Sequence, residues 1–524
     1  VRGRVLLLDE PFNPPEPDGA PVAVVDVGSN SGRVVVLRAR SAGYLEVLAD
    51  SRAPFRLASD LGDNDGGRLS DGVIDRACRA LRDFRALAES TGAAAVVAVA
   101  TSAVREAANA DELVGRAREV AGVEVTVIDG DREAEYAFAG AINELPVDHG
   151  IVMDIGGGSV ELTRFRDREP RRSWTLPLGA LRLSERFLRS DPPAQKEVNE
   201  LRRHVAAALR EAGVPPLEPD ERLVGTGGSV RNLAKIDRHA RTYPIPRLHG
   251  YVLTRSRLED LAGRLASRRA SRRGQVAGLN ADRADSIVGG ALAALGISEH
   301  VDADESWVSG QGLREGVALD ALGIRPAPVE AVRRASVAAT ASRFATWEPA
   351  RAHRRARVAL RLSAALDPDA GPKGRELLEH AATLLDAGRS VDYYRRFEHT
   401  ADVITNGDLA GFTHRRLAQL AAIVRFAGSG RPRIAEYRPL LTSADRPAVA
   451  RASTLLELAD EVDHRLPPDD EGALEIEERD RTIVIPVPVF DPWLQEHLAR
   501  RFAGVFRRRL RFAEPVNGSR HSEA

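Results

Sequence analysis

The chain has 524 residues, 43% of them apolar and 29% charged, and 75 Lys+Arg against 76 Asp+Glu leave a net charge of −1. That balance describes a soluble globular chain of several domains, with no global basic bias toward nucleic acid or an anionic membrane surface. One cysteine, Cys78, excludes an internal disulfide framework and a Cys-x-x-Cys metal site.

In chain order, residues 1–20 end in "PFNPPEPDGAP" and predict an extended lead. "VLLLDE" is cut short by acid and proline, so no signal peptide is predicted, and no apolar run reaches the ~18 residues of a membrane span. "VAVVDVGSNSGRVVVLR" is two β-branched runs around a Gly/Ser/Asn turn, a hairpin signal. "LSDGVIDRACRALRDFRALAEST" has helical apolar spacing, with Ser70 as its N-cap. The strand "AAVVAVAT", the helix "NADELVGRAREVAG" and the strand "VEVTVIDG" follow. The pattern restarts with "GIVMDIGGGSVELTRFR", and strands alternate with helices to about residue 325. Residues 328–465 are helical in pattern; "PPDDEG" is a linker, and two strands, a helix and one more strand close the chain. The predicted divisions are a lead (1–20), two α/β halves (21–145 and 146–327), an all-α domain (328–465), a small α+β segment (466–515) and a tail (516–524).

An internal repeat points to function. "VVDVGSNS" and "VMDIGGGS" each place an apolar strand before Asp, an aliphatic residue, Gly, two small residues and Ser. Asp26–Ser31 and Asp154–Ser159 share this spacing, 128 residues apart. Glycine lets such a turn approach a ligand closely, successive amides and hydroxyls can donate to phosphate oxygens, and the aspartate can hold hydrated Mg²⁺. A third turn, "VGTGGSVRNLA", opens a helix whose N-terminal amides suit an anion, although the P-loop pattern is absent. Two such α/β halves resemble the duplicated actin-like (ribonuclease H-like) ATPase architecture. The turn donors expected to bind phosphate are Ser29, Asn30, Ser31, Gly157, Gly158, Ser159, Gly228 and Ser229.

The runs "DVGSNSGRVVV", "ATSAVREAANADE", "VIDGDREAEYAFAG", "MDIGGGSVEL", "LPLGALRLSERF", "VGTGGSVRNLA" and "SGQGLREGVALD" occur in the order found in one family. The chain resembles the exopolyphosphatase and guanosine pentaphosphate phosphohydrolase (Ppx/GppA) family, in its long form with a C-terminal HD-like helical domain. The resemblance spans about residues 22–320, with a weaker match beyond. It implies hydrolysis of a terminal phosphoanhydride, with Mg²⁺ as cofactor. The family's catalytic glutamate falls on Glu133, in "DGDREA", with Glu135 as a near competitor and Asp129 where the family has Ser. The resemblance assigns Asp154 and Glu161 to the metal, supported by Asp26, and Arg105 to the substrate phosphate; Arg56 is a weaker candidate.

The helical region carries "TLLDAG", with Leu385 where an HD motif has histidine before Asp386, and His380, His399 and His414 are scattered. It is expected to lack the HD metal pair, and to extend a substrate channel or form a dimer interface. Arg395 and Arg396 beside aromatics, and "FRRRLRF" near the end, are further candidates for polyanion contact. The resemblance thus predicts a cytoplasmic, homodimeric exopolyphosphatase that releases orthophosphate from inorganic polyphosphate. Its alternatives are a guanosine pentaphosphate phosphohydrolase, a polyphosphate:nucleotide phosphotransferase, or a non-catalytic binder of polyphosphate or the alarmone. Neither nucleic acid nor membrane is an expected partner.

Overall fold

The computed structural model describes residues 19–63, 67–428, 432–467, 476–487, 489 and 491–513. The predicted lead up to residue 18, the predicted linker beyond Pro467 and the predicted tail lie outside the described residues. The chain packs as two units. One comprises residues 17–242 and 247–332; the other takes residue 333 onward together with Tyr243–Pro246.

The first unit contains two sheets built to one plan. In the first, β1 (Val22–Val27), β2 (Ser31–Ala39), β3 (Leu45–Pro54), β4 (Ala95–Ala100) and β5 (Val125–Val127) are ordered β3-β2-β1-β4-β5. In the second, β6 (Gly150–Ile155), β7 (Val160–Arg166), β8 (Glu169–Leu176), β9 (Arg222–Thr226), β10 (Tyr251–Thr254) and β11 (Glu305–Val308) are ordered β10-β11-β9-β6-β7-β8. β1 is antiparallel to β2 and parallel to β4, and β6 is antiparallel to β7 and parallel to β9. These central strands read as near-continuous apolar runs because helices cover both faces of such a sheet. In β1 and β6 the one residue not buried is the aspartate, Asp26 or Asp154.

Helix α1 (Asp71–Ser90) buries Val73, Ile74, Ala77, Cys78, Leu81, Phe84 and Ala88, one face at helical spacing. Ser70 stands at its N-cap position, but its hydroxyl does not cap the helix as predicted. It donates to Asp60 Oδ1 at 2.8 Å while its amide donates to Asp60 Oδ2 at 2.7 Å, and this charge-assisted pair fixes the side chain in an orientation that makes no bond to the first-turn amides.

The two sheets exchange helices. Helix α2 (Gly130–Asn143) follows the first sheet, yet Phe138, Ala141 and Ile142 pack on Val152, Phe165 and Val224 of the second. Helix α3 (Gly227–His239) starts where β9 ends. Helix α4 (Leu313–Ala321) follows the second sheet, yet Val317, Ala318 and Leu319 pack on Val22, Val24, Val35 and Leu37 of the first.

In the second unit, helices α5 (Pro349–Leu366), α6 (Gly371–Leu384), α7 (Arg396–Asn406), α8 (His414–Arg425) and α9 (Arg446–Asp463) share one core with the C-terminal segment. That segment is β12 (Glu477–Arg479), β13 (Thr482–Ile485), α10 (Pro492–Phe506) and β14 (Arg509–Phe512), and it contributes Ile483, Ile485, Leu498 and Phe502. Tyr243 joins this unit through a 2.9 Å hydrogen bond to His414 Nδ1. Among the described residues no helix is long and apolar enough to cross a membrane.

Asp386 of the "TLLDAG" run faces a guanidinium. Fully buried Arg355 donates to Asp386 Oδ2 at 2.8 Å, to Asp460 Oδ1 at 3.1 Å and to the carbonyl of Ala382. Burial pushes both acids up, but Arg355, with Arg351 and Arg389 near Asp386 and Arg396 near Asp460, outweighs it and holds them below the usual carboxylate range. Depressed carboxylates stabilise the fold above their unfolded pKa, near 4, and lose that contribution as pH falls toward the folded value. Arg355→Met removes the buried guanidinium the two acids share and leaves Asp386 with Arg389 and Asp460 with Arg396, both at the margin of the pair. It is expected to cost the helical unit about 3–5 kcal/mol at pH 7, and less at pH 4, where the acids can protonate. Urea unfolding at the two pH values, followed by circular dichroism, checks this; an equal loss at both contradicts it.

Candidate active site

The duplicated turns meet. A methyl group on Gly157 would stand 3.2 Å from Ser29 Cβ, and Ser29 Oγ lies 2.9 Å from Ser102 Oγ at the start of the helical turn after β4. The first turn is braced from behind: Phe55 and Arg56 amides donate to Asn30 O, and the Ala58 amide donates to Ser29 O. In the second turn the carbonyls of Gly156, Gly157 and Gly158 accept from amides at residues 179–182, the "LGALR" run. With its carbonyls occupied, the edge this turn offers a ligand is its N–H edge.

Between the turns lies an open-mouthed cleft with about 790 Å³ of empty space. Asp26, Ser29, Asn30 and Ser31 line it from the first half, and Asp154, Gly157, Ser159 and Gly228 from the second, together with Glu133. The third turn closes its floor: Gly227 has φ +86°, and a methyl group there would fall 2.3 Å from Asp154 Oδ1. Only glycine fits that approach.

Glu133 and Glu135 separate cleanly. Asp129 caps α2 by accepting from the Arg132 amide at 2.8 Å, which supplies the hydrogen bonding that the departure from Ser put in question. Glu133, in the first turn of the helix, is buried and enters the cleft, whereas Glu135 is exposed and pairs with Arg132. Arg105 reaches Glu133 rather than the cleft surface, donating to Glu133 Oε2 at 3.1 Å and to Ile128 O at 2.7 Å. Three other expected residues also lie behind the lining. Gly158 is covered by Ser102, Ser229 is 1% exposed and packs against Gly290, and Glu161 is buried opposite Asp154 on the neighbouring strand. Arg56 is exposed and is not part of the cleft lining, although its amide braces Asn30.

The repeat carries a sign reversal. Asp26 pairs in register with Arg33, and the equivalent Asp154 pairs with Glu161. Around Glu161 the acids accumulate. Burial pushes Glu133 up to about 7, against the opposing hydrogen bond from Arg105, and pushes Asp154 up to about 6. Glu161 is raised well above the usual range by burial and then by Glu133 and Asp154. Around Arg33 the cations accumulate: Arg231, Arg283 and Arg314 also line the cleft. Burial and then Arg314 and Arg231 push Arg33 down to about 9, and burial and then Arg231 and Arg52 push Arg283 down to about 10. Sequence reasoning missed these arginines. Arg33 had a signal, a charge inside an apolar strand; Arg231 and Arg314 stood in the "SVRNLA" and "GLREG" runs, whereas Arg283 sits in a connection with no motif.

The acids fit a hard cation held in part by other ligands. Glu161 Oε1 is buried without a hydrogen-bond partner. Yet among the described residues no three His, Cys, Asp or Glu side chains close into a ready-made metal cage, so Asp26, Asp154 and Glu161 do not enclose an ion by themselves. Mg²⁺ tolerates such a site, because it keeps several waters and binds through one or two carboxylates plus substrate phosphates.

Two sheets of one plan, facing each other across this cleft, define an actin-like α/β domain. The description of the Ppx/GppA phosphatase family matches residues 35–324, more than half of the chain, and that of Ppx/GppA phosphatase domain III matches residues 332–498. The chain belongs to the Ppx/GppA phosphatase family. It is 33% identical over 303 residues to Exopolyphosphatase 1 of Mycobacterium tuberculosis (strain ATCC 25618 / H37Rv), covering 57% of this chain and 87% of that one. Among solved structures it is similar to the Aquifex aeolicus member of the Ppx/GppA family (29% identity, TM-score 0.52, covering 59% of this chain and 99% of that one). An exopolyphosphatase from Cytophaga hutchinsonii is also similar (25% identity, TM-score 0.52, 59% and 99%).

The crowded arginines predict polyanion binding that can be read in a Glu133→Gln background, where turnover should be slow. Inorganic tripolyphosphate with Mg²⁺, at about a hundred times its Kd, should raise the Tm of that variant by about 4 °C. The Arg33→Ala, Arg283→Ala double variant should lose most of that shift in differential scanning fluorimetry. An undiminished shift would place the anion elsewhere.

Proposed function

We propose that this protein is a Mg²⁺-dependent exopolyphosphatase that hydrolyses the terminal phosphoanhydride of inorganic polyphosphate and releases orthophosphate. The observation that carries the reading is one cleft lined at once by the carboxylates of Asp26, Glu133 and Asp154 and by the guanidinium groups of Arg33, Arg231, Arg283 and Arg314. Groups of both signs on one lining complement a cation joined to a chain of phosphates. Among the described residues the lining contains no aromatic side chain to stack a base, which favours polyphosphate over a guanosine nucleotide. The 33% identity to an exopolyphosphatase supports the same choice.

In this reading Glu133 accepts the proton of a water that attacks the terminal phosphorus in line. Arg105 holds Glu133 in place and favours its ionised form. Ser29, Asn30, Ser31, Gly157 and Ser159 orient the terminal phosphoryl group, and Gly228 flanks it from the third turn. Arg33, Arg231, Arg283 and Arg314 hold the leaving chain, where guanidinium groups can grip phosphate oxygens in pairs. Asp154 and Glu161, supported by Asp26, would hold Mg²⁺, which when bound neutralises charge on the phosphate oxygens.

Glu133→Gln should lower kcat by about 10² or more with KM little changed, while Glu135→Gln should leave turnover within about twofold. Orthophosphate release from long-chain polyphosphate is the assay, and wild-type turnover in Glu133→Gln would refute the assignment. Glu161→Ala should shift the Mg²⁺ titration of activity to higher concentration by about tenfold or more; an unchanged titration would remove Glu161 from the metal.

A further inference from the structure

The helix that carries Glu133 is held at its far end by a side chain to which no role has been given. Arg168 lies in the two-residue turn between β7 and β8, where Asp167 (φ 56°) and Arg168 (φ 61°) are both left-handed. Such turns prefer Asn or Gly at these positions. An arginine there invites the question of what its side chain does.

Its guanidinium grips four main-chain carbonyls. Nη1 donates to Leu145 O at 2.9 Å and to Val147 O at 3.2 Å. Nη2 donates to Ile142 O at 2.7 Å and to Asn143 O at 3.0 Å. These are carbonyls at the end of α2 and in the turn that leaves it, where a helix runs out of internal donors and where a cation also suits the helix dipole. A planar fork with five donors can satisfy them together.

Midway along, α2 crosses α4 at very close range. A methyl group on Gly140 would stand 2.0 Å from Gly312 O, and one on Gly316 would stand 1.9 Å from Tyr136 O. The crossing fixes the middle of α2, and Arg132 Nη2 and Tyr136 OH, donating to Asp320 Oδ2 of α4 at 2.8 and 2.9 Å, hold its N-terminal half; the C-terminal end needs ties of its own. Asn143 Nδ2 ties the end of α2 to Gly43 O of the first half at 2.9 Å, and Arg168 ties the same end to the second half. Glu133 lies on the other side of the crossing, about 15 Å from Asn143 at the rise of an α-helix. A helix is stiff along its axis, so a shift of the gripped end strains these contacts and reaches Glu133.

We propose that Arg168 is a positioning residue for Glu133, acting through the C-terminus of α2. The proposal rests on the reading of Glu133 as the base. The test is steady-state orthophosphate release from polyphosphate with Mg²⁺ by the full chain. Arg168→Gly removes the clamp while suiting the turn's backbone. It should lower kcat about tenfold with KM within about twofold. In a Glu133→Gln background the same change should cost less than about twofold more, because the group it positions is already disabled. A folded Arg168→Gly with kcat within about twofold of wild type overturns the proposal, as does an equal tenfold loss in the Glu133→Gln background. Should the glycine variant fail to fold, Arg168→Lys carries the test: kcat lowered at constant KM supports positioning, and unchanged kcat overturns it. Wild-type turnover in Glu133→Gln alone would remove the premise and so the proposal, whereas an unaffected Arg168→Gly would leave the premise standing.

Discussion

Burying charge beside more charge of the same sign is unfavourable unless a ligand of opposite sign arrives, and this protein does it twice in one cleft. The device is a duplicated hairpin. At equivalent positions of two strands that begin with the same turn, Arg33 faces Asp26 and Glu161 faces Asp154. One copy seeds a cluster of guanidinium groups and the other a cluster of acids. Moving an ion from water into such surroundings costs several kcal/mol even after relaxation. The fold must therefore be stable enough elsewhere to tolerate a site that is complete only with its ligand.

The surrounding structure serves that tolerance. Central strands of both sheets are almost wholly apolar, and the exchanged helices bury Phe138, Ile142, Val317 and Leu319 against the opposite sheet. Each half thereby depends on the other for its core. The turns are braced through their carbonyls, so their polar edge needs no rearrangement to receive an anion. Preorganised donors of this kind act where charge develops, without a reorganisation cost at the moment of reaction.

Much of this was legible in the sequence. The alternation of strands and helices, the repeat at Asp26 and Asp154, and the Gly-rich third turn are local patterns, and local patterns set these elements. The order of family motifs placed Glu133. What the sequence could not show is direction and long-range pairing. Arg105 is long enough to reach either substrate or Glu133, and only the fold turns it to Glu133. Ser70 sits where a cap belongs but finds Asp60. Arg283 comes from a connection without pattern, and its meaning arises from Arg33 and Arg231, distant in the chain. Tyr243–Pro246 leaves the α/β unit for the helical one, and Arg355 is buried only because Asp386 and Asp460 converge on it.

The most direct test of the account is a crystal structure of the chain with Mn²⁺ and a non-hydrolysable imido-linked triphosphate. Anomalous scattering should put the ion on oxygens of Asp154 and Glu161, with the terminal phosphoryl between the Ser29 and Gly157 turns and the remaining phosphates directed to Arg33 and Arg283. An analogue seated away from both turns, or a metal bound without either carboxylate, would contradict it.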